Sequence, residues 1–180
     1  MIETEGLERR STELRTAFDH SFALPPPQET QEVDDLLAVR VSGDLYAIRL
    51  RDITGVVTRR TIVAVPAAAP GLLGVAGIRG DIVPVFSLSS FLGYGDDHEA
   101  PSWTVLCGGE HSIGLCFAEL DGYLRLPKSA VHADDVSRVE KHYVTDVVAT
   151  ETGARPVIAV PLIITDIRNW RGPQRPKREQ

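Results

Sequence analysis

The apolar pattern changes period near residue 36. Over GLERRSTELRTAFDHSF, residues 6–22, Leu7, Leu14, Ala17 and Phe18 recur at helical spacing, with Arg and Glu on the other face. This predicts a helix, ended by Pro25-Pro26-Pro27 and followed by a polar linker, PPPQETQEVDD. From Leu36 apolar residues alternate with period two. LLAVRV (36–41) and LYAIRL (45–50) read as a hairpin turning at Gly43-Asp44. Further short β-rich runs follow at 61–65, 81–86, 103–107, 112–117, 123–127 and 155–163. SLSSFLG (87–93) reads as a short helix, and PLIITDIRNW reads as a helical end. Many short strands at this spacing predict small barrels or a sandwich.

The β-rich body also looks like itself. YAIRLRDITGV (46–56) lies over IGLCFAELDGY (113–123) without a gap, matching Ile48 with Leu115 and Gly55 with Gly122. DIVPVFSL (81–88) lies over RPVIAVPL (155–162). Two copies of one small β-unit are expected, about 36–93 and 102–168. Each copy is too small to bury much surface alone, so the two should share a core.

Composition narrows the function. The chain has 180 residues, 43% of them apolar, and a net charge of -6. No apolar run approaches the roughly 20 residues that cross a bilayer. The polar N-terminus does not read as a secretory signal. A cytoplasmic protein is expected, without membrane insertion. Residues 1–35 hold nine acids against three bases, and residues 168–180 hold five bases against one acid. Residues 169–180 read as a basic disordered tail. Net acidity argues against nucleic-acid binding, which needs a cationic face.

Reactive chemistry is hard to assemble. GIRGDI (77–82) is too short for a nucleotide loop. Cys107 and Cys116 bracket a hairpin and read as two buried thiols. Asp96-Asp97-His98-Glu99, and His132 with Asp134 and Asp135, have metal-like composition but read as polar loops. No catalytic residue, metal or cofactor is expected, so binding through surfaces leads. Arg79 stands out, a single long cation on a glycine bend between two apolar runs.

DLYAIRL, AVP (64–66) and PGLLGVAGIRGDIVPVFSLSSFLG (70–93) resemble the signature half of the chemotaxis coupling proteins, the CheW-like family. IGLCFAELDGYLRLPKSAV resembles that family's second subdomain, and the likeness runs from about 36 to 168. The resemblance implies two small five-stranded, SH3-like β-barrels packed together, here with an N-terminal helix and linker added over 1–35. It implies a non-enzymatic adaptor between the cytoplasmic tip of a chemoreceptor and the regulatory domain of a CheA-like histidine kinase. By motif position, Gly74, Arg79 and Gly80 would form the receptor-proximal bend, with Ile53 on a second receptor-contacting strand. Apolar residues of the second half, Leu106, Ile113, Leu115 and Tyr123, are the candidates for a kinase-facing edge. The chain departs from the family where Gly55 replaces a common acid and Ser87 replaces a common Asp. Serine caps helices as well as aspartate does. The departures and the added N-terminal helix leave open a relative that binds only receptor or only kinase, and a ligand-binding or regulatory barrel outside chemotaxis stands as a separate alternative.

Overall fold

The computed structural model describes residues 32–66, 69–95, 101–109, 111–132, 142–150 and 153–170. The expected N-terminal helix, most of the basic tail and the Asp96–Glu99 run lie outside the described residues. So do Asp134 and Asp135. Among the described residues eleven strands form two mixed sheets. The first runs β8 (Glu119–Pro127), β1 (Val33–Val41), β2 (Asp44–Arg49), β11 (Gly153–Ile158), β10 (Val144–Thr150), β9 (Val131–His132). The second runs β3 (Gly55–Thr58), β6 (Trp103–Cys107), β7 (Ile113–Phe117), β5 (Asp81–Ser87), β4 (Leu72–Ile78). Two helices follow strands, α1 (Leu88–Phe91) after β5 and α2 (Val160–Asn169) after β11.

The internal repeat is visible in this order. Replacing β1, β2, β3, β4 and β5 by β6, β7, β8, β10 and β11 turns one sheet into the other, leaving the two-residue β9 as a sixth strand. The single parallel pair of each sheet corresponds too, β2 with β11 and β7 with β5. The repeats are interleaved, however. β1 and β2 pair with strands of the second half, and β6 and β7 with strands of the first. The contiguous division into 36–93 and 102–168 therefore describes the repeat but not the sheets. The alignment of 81–88 with 155–162 also slips by two residues. Parallel pairing sets Val85 on Gly114 and Val157 on Ala47, which equates Pro84 with Pro156. A two-residue slip preserves the alternation, so the hydrophobic pattern could not reveal it.

Alternation then sorts the core into three parts. Leu36, Ala47, Val148 and Val157 form a cluster inside the first sheet, with Leu124, Leu126 and Val131 against it. Ala76, Ile78, Val83, Val85, Leu106 and Cys116 form another inside the second, with Val57. Every strand of each sheet contributes to its own cluster. The opposite faces, including Val39, Ile48, Leu115 and Ile158, meet in a larger shared core. α2 seals that core with Val160 and Ile163, both fully buried.

Cross-sheet contacts show that each sheet is rolled. β8 and β11 are three strand spacings apart, about 14 Å in a flat sheet. Yet the Arg155 guanidinium donates to Asp121 at 2.8 Å. β3 and β4 are the two edges of the second sheet, about 19 Å apart if flat. Yet Arg79, after β4, lies over Gly55 at the start of β3.

Several local readings shift. The β1–β2 turn is Ser42-Gly43, with φ of 52° and 83°, and Asp44 already pairs with Val41. Residues 61–65 form no strand, only one bridge from Val63 to Val75. β3, β4 and β10 arise where no strand was expected. The run 155–163 divides, because Pro161 at the second helical position suits a helix start and ends the sheet. Ser87 caps α1 through its Oγ, which accepts from the Ser90 amide at 3.4 Å.

Candidate functional site

The β4–β5 hairpin presents Arg79. Ile78 pairs with Asp81, so Arg79-Gly80 is a two-residue turn, with φ of 54° and 93°. Positive φ at both positions is the type I′ pattern, which twists with the strands and favours Asn-Gly. Holding a non-glycine residue there costs about 1–2 kcal/mol. The side chain runs back over β3. Its Nη2 lies 3.0 Å from where a Cβ on Gly55 would sit. Any side chain at 55 would displace the guanidinium. Gly55 itself is fixed by pairing with Leu106, and Thr54 donates its amide to the Leu106 carbonyl at 2.7 Å.

Neither Asp52 nor Asp81, the acids nearest in sequence to this seam, braces Arg79. Asp52 meets Arg51 at 3.9 Å, and no ion pair joins Arg79 to a described carboxylate. Burial raises the Asp52 carboxyl above its ordinary value, with Arg51 opposing that shift. The other rolled sheet supplies a contrast. Arg155 is buried, 4% exposed, and holds Asp121, which a β-bulge displaces from the β8–β1 ladder. Arg40 reaches the same carboxylate at 3.0 Å. The hydrogen bond from Arg155, helped by Arg40, lowers the Asp121 carboxyl below its ordinary value. Arg155 is thus a structural pin with an acid beneath it. Arg79 spans an equivalent seam, exposed, over a glycine.

Around the turn little of the described chain covers the surface. Ile82 is 80% exposed and sits opposite Gly77, where a Cβ would meet nothing within 4 Å. A groove continues from Ile82 past Pro84 to Ile113, walled by Ile167 and Arg168 of α2 and by His111. Phase defeats prediction at Ile82, because DIVPVF is apolar on both faces.

The remaining sequence candidates separate. Ile53 is half-buried and packs against the shared core two residues before Gly55. Gly74 lies five residues along β4 from Arg79, about 17 Å away. A Cβ there would fall 2.2 Å from the Val63 carbonyl oxygen, so this glycine admits the 63–75 bridge. Leu106, Ile113 and Leu115 are 3%, 5% and 0% exposed. Leu106 points into the second sheet's own core, and Ile113 and Leu115 into the shared core, where pairing of β7 with both β6 and β5 fixes their phase. Their side chains form core, not a kinase-facing edge, although Ile113 reaches the floor of the groove. Tyr123 alone of the four is exposed, at 55%. Its hydroxyl donates to Asp35, and that bond raises the phenol above its ordinary value.

Catalytic chemistry finds little footing among the described residues. Cys107 and Cys116 face opposite cores, and burial pushes both thiols up to about 12. A thiol that stays protonated is a poor nucleophile. No group of three metal-ligating side chains converges among the described residues. No helix among them is long and apolar enough to cross a membrane.

Comparison with known proteins settles the family. The CheW-like domain family matches residues 35–168. The chain belongs to the CheW-like family. Its fold resembles the crystal structure of the scaffolding protein TtCheW from Thermoanaerobacter tengcongensis, with a TM-score of 0.61 and 18% identity. That match covers 69% of this chain and 88% of TtCheW. No curated protein matches the chain. The CheW-like family comprises the scaffolding adaptors of chemotaxis, and this chain carries its domain over most of its length. β1 begins at Val33 and α2 ends at Asn169, so the folded body slightly exceeds the matched span.

Proposed function

We propose that this chain is a non-catalytic coupling protein, joining the cytoplasmic tip of a chemoreceptor to the regulatory domain of a histidine kinase. The receptor would meet the surface around Arg79, Gly80, Gly55 and Ile53. The observation that carries this reading is Arg79 itself. It occupies a backbone position that Asn or Gly would hold more cheaply, and among the described residues no ion pair offsets the cost. On this reading its contribution is made to a partner. A guanidinium can meet a carboxylate or helix-end carbonyls with fork geometry. Gly77 and Gly80, where a Cβ would meet nothing within 4 Å, let a partner helix come close to backbone. On the other sheet, Tyr123 offers an exposed aromatic contact for the kinase, of the type enriched at interface hot spots.

The test is size-exclusion chromatography of the full chain with a receptor cytoplasmic fragment and the kinase regulatory domain, from the same cell. A complex of receptor fragment and kinase regulatory domain that forms only when this chain is present is the expected result. Binding of one partner alone would make it a half-coupled relative. Failure to bind either would remove the adaptor reading.

A further inference from the structure

A second pocket, away from Arg79, lies at the C-terminal end of α2. Phe86, Phe91, Tyr143, Ile167 and Trp170 line it, and Asp166 stands exposed beside them. Its volume is about 170 Å³. An apolar cavity near that size, roughly 150 Å³, admits benzene, so a compact group of similar bulk fits. Phe91 meets Tyr143 edge-on at 5.6 Å, and Phe86 tilts against Phe91 at 6.2 Å. Trp170 remains 38% exposed.

Three electronegative features converge there. Aromatic faces carry the negative side of their quadrupole. The last turn of α2 presents its carbonyl end. Asp166 adds a carboxylate in that same region, fixed by the Tyr143 hydroxyl, which donates to it at 2.7 Å. Burial, with help from that bond, pushes the Tyr143 phenol up to about 12, so it stays a neutral donor at physiological pH. An acid near a helix C-terminus opposes the helix dipole. No ion pair of Asp166 with a described cation offsets this. A cation in the pocket would.

We propose that this aromatic pocket, with Asp166 at its side, binds a small methylated ammonium compound. Aromatic faces and one carboxylate suit a cation that is bulky, weakly hydrated and without N–H donors to satisfy. The test uses the full chain carrying Trp103→Phe, so that fluorescence reports Trp170. Choline and tetramethylammonium chloride are titrated against sodium chloride at equal ionic strength. 3,3-Dimethyl-1-butanol serves as the neutral isostere of choline. The expected result is a saturable change with both cations and binding about ten-fold weaker, or more, for the alcohol. Asp166→Asn should weaken choline about ten-fold without lowering the melting temperature. Equal binding of alcohol and choline would reduce the site to a plain apolar pocket and overturn the proposal. So would an unchanged choline affinity in Asp166→Asn, or no saturable response to either cation.

Discussion

Three glycines of the β3–β5 region do different work, and substitution separates them. Gly74 combines a φ of 148° with backbone 2.2 Å from its missing Cβ. Gly80 combines a φ of 93° with open space. Gly74→Ala should therefore cost about 3 kcal/mol or more, since backbone must move, and Gly80→Ala about 1 kcal/mol from conformation alone. Urea unfolding of the two variants measures this. A smaller loss at 74 than at 80 would contradict the close approach of residue 63. Gly55 is the third case, holding space for a side chain from elsewhere. The sequence marks all three as glycines but cannot distinguish a turn, a backbone contact and a cradle. Those differ only in what lies across the sheet.

At the scale of elements, the two sheets differ in how they are held across their roll, and the first is pinned there by an arginine. In the first sheet the pin is Arg155 on Asp121, with Arg40 sharing the carboxylate. Arg155→Ala should destabilise the fold by about 2–3 kcal/mol, at the low end for a buried pair because Asp121 keeps Arg40. The pH dependence has a definite sign. The Asp121 carboxyl is lower in the folded chain than its ordinary 3.8. Its stabilisation is thus present above that ordinary value and disappears as pH falls through the folded value. The stability gap between wild type and Arg155→Ala should narrow on acidification below about pH 4, as followed by urea midpoints. A gap that widened there would exclude the pin. Much of this level was legible in the sequence. The β1–β2 hairpin, both helices of the body and the repeat follow from period, turn residues and the proline at 161. β3 and β4 were harder to read, one being only four residues long and the other carrying two glycines. The inward phase of Leu106, Ile113 and Leu115 was also illegible. It is fixed by strand partners tens of residues distant.

The whole molecule depends on interleaving. β1 and β2 complete a sheet whose other strands come from the second half, and β6 and β7 complete the first half's sheet. Residues 1–95 alone, or 101–180 alone, should then lack cooperative unfolding and dispersed amide resonances. Mixing the two should restore both. A half that folded by itself would show that one repeat can close its own barrel. The same interleaving puts Arg79 and Tyr123 on different sheets of one compact body, the arrangement that the proposed two-partner adaptor needs. On the proposed reading, Arg79 is held for a partner rather than for the fold. Arg79→Asn tests it most directly, because Asn suits the left-handed turn while removing the guanidinium. The receptor cytoplasmic fragment would be titrated calorimetrically into wild type and variant, with thermal melts run beside them. Affinity weakened about ten-fold or more is expected, with a melting temperature equal to or above wild type. Unchanged affinity with a lowered melting temperature would contradict that reading and return Arg79 to bracing the barrel.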